Sequence, residues 1–321
     1  MSKFPFPLPH GWFGLCFAHE LQKGEVKKVR FCGRDLVAFR TESGKAAALD
    51  NYCPHLGAPL SQGCVIGETL RCPFHHWQWN GDGQCEHIPY AKKIPERAVI
   101  ESIHVREVNG MIMAWHDREG KPPYFEVPEL APFNGAAEGW IPAEFLVHDL
   151  PTCVQEISEN DVDTAHFPYL HGMPSFTEAE SIIDGPIKKT TQAFQTREEM
   201  SVGEVEEGTE YMSFRESHGP GHVSVWSKNI VGVKPGVMGE FLLYSVSTPV
   251  EEDRTLLRWS MTVTNDLAED DMGKTMLQSY PEGVLADIPI WQEKKYQANP
   301  VLCDGDGPIA KHRKWFSQFY E

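Results

Sequence analysis

Short runs of alternating apolar and polar residues dominate the first third of the chain. GWFGLCFA (11–18), EVKKVRFC (25–32), DLVAFRT (35–41) and KAAALD (45–50) are separated by Gly24-Glu25, Gly33-Arg34-Asp35 and Glu42-Ser43-Gly44, the pattern of a β-meander. Two loop-forming stretches, NYCPHLGAPLSQGCVIG and PFHHWQWNGDGQC, then flank the short strand ETLRC, and further strands end at MIMAWHD. Residues 1–120 therefore read as one all-β module with two loops at one end. The proline-rich Lys121-Pro122-Pro123, followed by EVPELAPF, marks the boundary with a second domain over 121–321.

The second domain mixes both periods. VQEISENDVDTAHFPYL (154–170) predicts helix, and strand alternation resumes from Ile187 to Asn265 in TQAFQTREEM, EYMSFRES, HVSVWSKNIVGV, GEFLLYSVSTPV and TLLRWSMTVTN. AEDDMGKTMLQSYPEGVLADIPIWQEKKY (268–296) predicts a long helix, divided in the middle by Pro281-Glu282-Gly283. The fold class is α+β: an all-β N-terminal domain, then an antiparallel sheet wrapped over a C-terminal helix in a helix-grip, START-like arrangement. Such a sheet and helix enclose an apolar pocket between them, large enough for a rigid hydrophobic substrate.

Bulk composition narrows the function classes. The chain has 321 residues, 41% hydrophobic and 23% charged, which is ordinary for a globular protein, and its formal charge is −17. That acidity argues against nucleic acid as a partner, since little is present to displace counterions from phosphates. The opening MSKFPFPLPHGW lacks the apolar stretch of a signal peptide, and no segment approaches a bilayer span. A cytoplasmic protein is expected. Of eight cysteines, six (Cys16, Cys32, Cys64, Cys85, Cys153 and Cys303) are scattered and read as free thiols, although Cys64 and Cys85 flank the loops closely enough for a disulfide.

The remaining two cysteines carry the chemistry. Cys53-Pro54-His55 and, beginning seventeen positions after His55, Cys72-Pro73-Phe74-His75 supply one thiolate and one imidazole from each loop. A mixed Cys2His2 set also suits zinc, but zinc sites usually pair thiolate with thiolate in C-x-x-C. One of each per loop suits a [2Fe–2S] cluster whose inner iron is held by Cys53 and Cys72 and outer iron by His55 and His75, the Rieske arrangement. Downstream, Asp163-x-x-His166-x-x-x-x-His171 offers two further histidines. Two histidines and one carboxylate on one face of Fe(II) leave positions open for dioxygen. Residues five apart do not share one helical face, so joint ligation needs the helix to bend or end between them, and Pro168 is the expected break.

These motifs resemble a known family. CPHLGAPLSQG followed by CPFHHWQWNGDGQC resembles a Rieske domain of the ring-hydroxylating oxygenases, most of which carry Gly where His76 stands. Asn160-x-x-Asp163-x-x-His166-x-x-x-x-His171 is similar to the mononuclear-iron motif of Rieske oxygenases. The resemblance implies that Asp163 is not an iron ligand. It would instead hydrogen-bond the iron-binding histidine of its own chain and a cluster-binding histidine of the neighbouring chain, while Asn160 supports the ligands. Asp287-Ile288-Pro289-Ile290-Trp291 looks like the family's late aspartate ligand, with Asp270, Asp271, Glu282 and Glu293 as rivals.

At closer range, CPFHHWQWNGDGQCEHIPYAKKIPE with NGMIMAWHDREGKPP resembles the oxygenase component of bacterial 3-ketosteroid 9α-hydroxylases. DIPIWQEKKYQANPVL with DGDGPIAKHRKWFSQFY resembles that group and the animal cholesterol 7-desaturases. The likeness implies a head-to-tail homotrimer in which electrons pass from one subunit's cluster to the next subunit's iron. It also implies a separate NADH-dependent flavin and iron–sulfur reductase, with or without a ferredoxin, since no G-x-G-x-x-G follows a strand. Gly172-Met173-Pro174-Ser175-Phe176 and TEAESIIDG depart from the steroid hydroxylases beside the expected substrate entrance. The implied function is a monooxygenase hydroxylating a hydrophobic polycyclic, steroid-like substrate with dioxygen. Desaturase, demethylase, aromatic or heterocycle hydroxylase, and plain Rieske electron carrier are the alternatives. Met173, Phe176, Phe194, Trp226, Phe241 and Trp291 are candidates for the pocket wall, with core packing as the default role for each.

Overall fold

A computed structural model describes residues 3–135, 137–171, 175–176, 180–195 and 210–321, with backbone alone at 175–176 and 194–195. They form two compact units, His10–Tyr124 and Met1–Pro9 together with Phe125–Glu321. The first residues group with the second unit because Phe6 stacks on Tyr320 at 5.1 Å and meets Tyr296 edge-on at 4.7 Å.

The first unit is all β. In chain order its strands are β1 (Gly11–Phe17), β2 (Val26–Phe31), β3 (Arg34–Arg40), β4 (Ala46–Asp50), β5 (Cys64–Ile66), β6 (Thr69–Arg71), β7 (Gln78–Asn80), β8 (Cys85–His87), β9 (Ser102–Ile103), β10 (Val105–Val108) and β11 (Met111–His116). They pair as β1-β11-β10, β2-β3-β4-β9 and β5-β6-β7-β8. Alternate residues of β3 and β4 (Val37, Phe39, Ala47, Leu49) join Leu60, Leu70 and Trp79 in a core that also contains Cys53 and Cys72. The loop before β8 is held close to its neighbour at Gly83, which has φ +81° and where a Cβ would lie 2.1 Å from the Ile100 carbonyl oxygen. Only glycine fits there.

The second unit carries β12 (Glu144–Leu150), β13 (Ser175–Phe176), β14 (Glu180–Asp184), β15 (Ile187–Gln195), β16 (Glu210–His218), β17 (His222–Val231), β18 (Met238–Glu251) and β19 (Arg254–Val263). Among the described residues these make one antiparallel sheet, ordered β12-β19-β18-β17-β16-β15-β13, with β14 on β15. Its helices are α1 (Val154–Asn160), α2 (His166–Leu170), α3 (Asn265–Ala268), α4 (Asp271–Glu293) and α5 (Ile309–Ser317).

The predicted division of the long helix at Pro281 is not found: α4 runs unbroken through Pro281 and Pro289. Each proline removes one backbone donor. Packing outweighs that loss, because Met276, Tyr280, Val284, Asp287 and Trp291 form a stripe of period three and four facing the sheet, where Tyr280 stacks on Phe241 at 4.6 Å. The helix starts where Asp270 accepts backbone N–H bonds from Val233, Lys234 and Met272 (2.8–2.9 Å). No described helix is long and apolar enough to cross a membrane.

His222 is buried beside Tyr244, ring centroids 5.7 Å apart, and burial pushes its pKa down to about 3. A histidine depressed in the folded state contributes stability that is full above its unfolded pKa near 6.5 and is lost as pH falls below it. Between about pH 6.5 and 5 the loss from this one group is about 2 kcal/mol. Urea unfolding at pH 7 and pH 5 should therefore show a shallower pH dependence in His222→Gln than in the parent; equal slopes would refute the assignment.

Candidate metal centres and cavity

The two cysteine loops of the first unit are built alike. The Cys53 N–H donates to the Ala58 carbonyl (2.9 Å), and the Gly57 N–H donates back to the Cys53 carbonyl (2.8 Å). The second loop repeats both bonds, Cys72 N–H to Trp77 carbonyl (2.8 Å) and His76 N–H to Cys72 carbonyl (3.2 Å). Each closes through a residue of positive φ, Gly57 at +77° and His76 at +59°. This left-handed position explains why glycine suits the place of His76, since a side chain there costs about 1 kcal/mol. His76→Gly in cluster-loaded protein should raise stability by about 0.5–1 kcal/mol, a melting rise of roughly 2 °C. A lower melting point would mean that the His76 side chain holds the loop.

Within these loops the thiols are buried and the imidazoles reach outward. Cys53 and Cys72 are each 2% exposed, whereas the flanking Leu56 and Phe74 are 67% and 60% exposed. The His55 and His75 rings are 4.6 Å apart, and His55 stacks on Trp77 at 4.5 Å. Burial, reinforced by the Cys72 thiol alongside, pushes the Cys53 thiol up to about 11. Thiols so placed become thiolates only when a metal supplies positive charge. Ligands of one tetrahedral zinc lie within about 4 Å of one another. Among the described residues only a different triad draws its ligand atoms within 4.8 Å, so these four fit a wider, two-iron group better than a single ion. Cys64 and Cys85 are free, so the disulfide beside the loops does not form.

That triad is His166, His171 and Asp287 in the second unit. Helix α1 is pinned by a two-pronged Glu159–Arg313 pair (2.6 and 2.8 Å) and by Glu156–Lys294 (2.6 Å). Its last residue, Asn160, hydrogen-bonds the Asp287 carboxylate. The expected break at Pro168 is not the device that brings the histidines together. Pro168 lies inside the first turn of α2, where its missing N–H breaks no helical bond. Instead α2 is only five residues long, with His166 first and His171 at its C-cap, and their ring centroids are 5.1 Å apart. Gly283 on α4 faces the His171 ring, and Asp287 follows one turn later with Oδ2 3.6 Å from His171 Nε2.

The electrostatics of the triad suit a cation. Burial pushes the Asp287 carboxyl up, and burial, with His166 adding to it, pushes His171 down. Nδ1 of both His166 and His171 is buried without a hydrogen-bond partner. A divalent ion held by the three would favour the ionised Asp287 carboxylate and the neutral His171 imidazole together. Asp163 Oδ2 lies 3.7 Å from His166 Nδ1. Burial alone would raise the Asp163 carboxyl, but the His166 side chain and backbone N–H outweigh it and hold the group below the usual range. The rival carboxylates do not join the triad: Asp270 caps α4, Asp271 pairs with Lys274 (3.1 Å), Glu293 is exposed, and Glu282 lines the cavity but is itself exposed.

A cavity of about 400 Å³ opens beside the triad, walled by Phe167 and Leu170 of α2, Val225 and Leu243 of the sheet, Trp259 and Trp291. This lies in the range of small-molecule sites, roughly 300–1,000 Å³. Of the aromatic candidates Trp291 lines it. Phe241 packs on Tyr280 instead, and Trp226 bonds Glu240 (2.5 Å). Met173 and the side chains of Phe176 and Phe194 lie outside the described residues. The sequence reading missed Asp161 and Arg215, which also line the cavity. The signal for Arg215 was its place in phase with Tyr211, Ser213 and Ser217 on a strand whose sheet buries that face.

Matches to known proteins fit this geometry. A family model described as 3-Ketosteroid 9alpha-hydroxylase C-terminal domain matches residues 114–320, and the Rieske [2Fe-2S] domain model matches residues 11–103. The chain belongs to the 3-ketosteroid 9α-hydroxylase oxygenase family. A probable 3-ketosteroid-9-alpha-monooxygenase oxygenase component from Rhodococcus rhodochrous is 32% identical over 97% of this chain and 79% of its own length. A counterpart from Mycolicibacterium smegmatis is also 32% identical, over 97% and 82%. A cholesterol 7-desaturase from Ciona intestinalis is 30% identical over 98% of this chain and 69% of its own. Dicamba monooxygenase bound to dicamba shares the fold with TM-score 0.75 at 17% identity, covering 97% of this chain and 96% of that one. The chain is thus an oxidoreductase, a Rieske oxygenase with an N-terminal Rieske [2Fe–2S] domain.

Proposed function

We propose that this chain is the terminal oxygenase of a monooxygenase that hydroxylates a hydrophobic polycyclic, steroid-like substrate. Dioxygen supplies the inserted atom, and a separate NADH-dependent flavin and iron–sulfur reductase, with or without a ferredoxin, supplies two electrons. The observation that carries this reading is the convergence of His166, His171 and Asp287 on the wall of a largely apolar cavity, in a chain that also bears the two Rieske loops. Its division of labour gives residues 1–120 electron storage and residues 121–321 the reaction.

Cys53 and Cys72 would hold one iron of the cluster, and the partly exposed His55 and His75 the other. His166, His171 and Asp287 would hold Fe(II), which would supply the oxygen-activating chemistry. Asp163, against His166 Nδ1, sets that ring's orientation and leaves Nε2 for the metal. Asn160 does the same for Asp287. Trp259, Trp291, Leu243 and Val225 exclude water and hold the substrate skeleton. The reading carries with it a cytoplasmic homotrimer in which Asp163 also faces the neighbouring subunit's cluster. Its relatedness to a cholesterol 7-desaturase supports desaturation as the second outcome.

Single turnover tests both. Chemically reduced, iron-reconstituted protein is mixed with a steroid panel and dioxygen, and products are read by mass spectrometry. Gain of one oxygen supports hydroxylation, loss of two hydrogens desaturation, and loss of a methyl group demethylation. Cluster reoxidation without a steroid product overturns the steroid reading.

A further inference from the structure

Beside the triad the cavity wall holds an uneven set of charges. Arg215 of β16 pairs in register with Val225, and Val225 with Leu243, so all three face the cavity they line. The Arg215 side chain is 5% exposed. Its Nη1 donates to the Asp161 carbonyl and lies 3.8 Å from Asp161 Oδ1, and its guanidinium sits 5.4 Å from the centre of the Phe167 ring. Nε is buried and has no hydrogen-bond partner among the described residues.

Asp161 cannot balance this arginine, because it is shared. Lys188 Nζ, on a side chain 2% exposed, is 3.7 Å from Asp161 Oδ2 and 3.1 Å from His312 Nδ1. Burial, with Lys188 adding to it, pushes His312 far below its ordinary range, so that imidazole stays neutral and leaves the Lys188 charge uncompensated. Two buried cations therefore stand against one carboxylate. The nearby buried acids are otherwise engaged: Glu159 with Arg313, Glu156 with Lys294, and Asp287 with the histidines and Asn160; Glu282, also in the cavity wall, is exposed to solvent. An uncompensated buried charge is destabilising until an anion meets it.

We propose that Arg215 is the polar anchor of the cavity and selects substrates whose apolar skeleton carries a carboxylate. Guanidinium has donors only and cannot serve a lone hydroxyl hydrogen. A carboxylate is the substrate group that brings the negative charge the pairing with Asp161 leaves short. The proposal deepens the functional reading above and rests on this cavity being the substrate site. It also supplies an orientation, since the carboxylate end at β16 fixes which part of the skeleton reaches the triad.

Calorimetric binding to the iron-loaded holoenzyme tests it with two matched pairs, a steroid side-chain carboxylic acid and its methyl ester, and 2-naphthoate and its methyl ester. The expected result is that the acid binds about ten- to a hundredfold more tightly than the ester. In Arg215→Gln the preference should collapse to about twofold while ester binding stays as in the parent. Arg215→Lys, which keeps the charge without the guanidinium, should retain a reduced preference and serves if the Gln variant does not fold. Acid preference for the naphthoate pair with no steroid binding would keep Arg215 as anchor and remove the steroid reading. Absence of any acid preference in either pair overturns the proposal, as does an Arg215→Gln protein in which acid and ester weaken equally.

Discussion

Asp287→Ala is expected to lose about one iron per chain while the cluster's visible spectrum is unchanged. Removing mere supporting partners of a metal ligand costs roughly 10- to 100-fold, so loss of a ligand itself should leave turnover below about 1% of the parent. The apoprotein gives an independent readout. Burial pushes the Asp287 carboxyl up, which means that its charge is unwelcome in the metal-free fold. Asp287→Asn apoprotein should therefore melt no lower than parent apoprotein, whereas the iron-loaded parent should gain stability that the variant lacks. Iron content unchanged in Asp287→Ala would transfer the ligand role to another carboxylate.

Asp163→Ala is the second large effect, and it differs in kind. Both metals should stay, because Asp163 touches His166 at 3.7 Å without belonging to the triad. Turnover should fall by about 100-fold, the upper end for such partners. Stopped-flow reoxidation of the reduced cluster should slow by a similar factor while iron content stays at the parental level. Full activity would remove the bridging role. A mixed assembly tests the proposed trimer: Cys72→Ser chains combined with His166→Ala chains should regain activity that neither variant has alone, and no recovery would refute transfer between chains.

The fold was legible where local rules are strong. The β-meander of the first unit followed from turn glycines and alternation, and the order of strands and long helix in the second followed from a change of period. The helix was misjudged at Pro281 because local rules count a missing N–H and not the stripe from Met276 to Trp291 that a sheet rewards. The same limit produced the error at Pro168. A proline breaks a helix interior but is harmless in a first turn, and only the structure shows that α2 begins at His166.

The candidate metal residues divide along the same line. Cys53, His55, Cys72 and His75 were readable because each pair lies on one short loop, where spacing nearly dictates geometry. His166 and His171 were readable as a pair for that reason, and Asp287 only through the family pattern, since 116 residues separate it from His171. Its approach to within 3.6 Å depends on α4 packing across the sheet. Arg215, Asp161, Lys188 and His312 meet from four segments, and no spacing rule joins them. The two cysteine loops and the histidine pair were thus legible in the sequence itself, because residues close along the chain cannot drift apart. The cavity and its unbalanced charge were decided only by tertiary structure, because burial and pairing are properties of what the rest of the chain brings near.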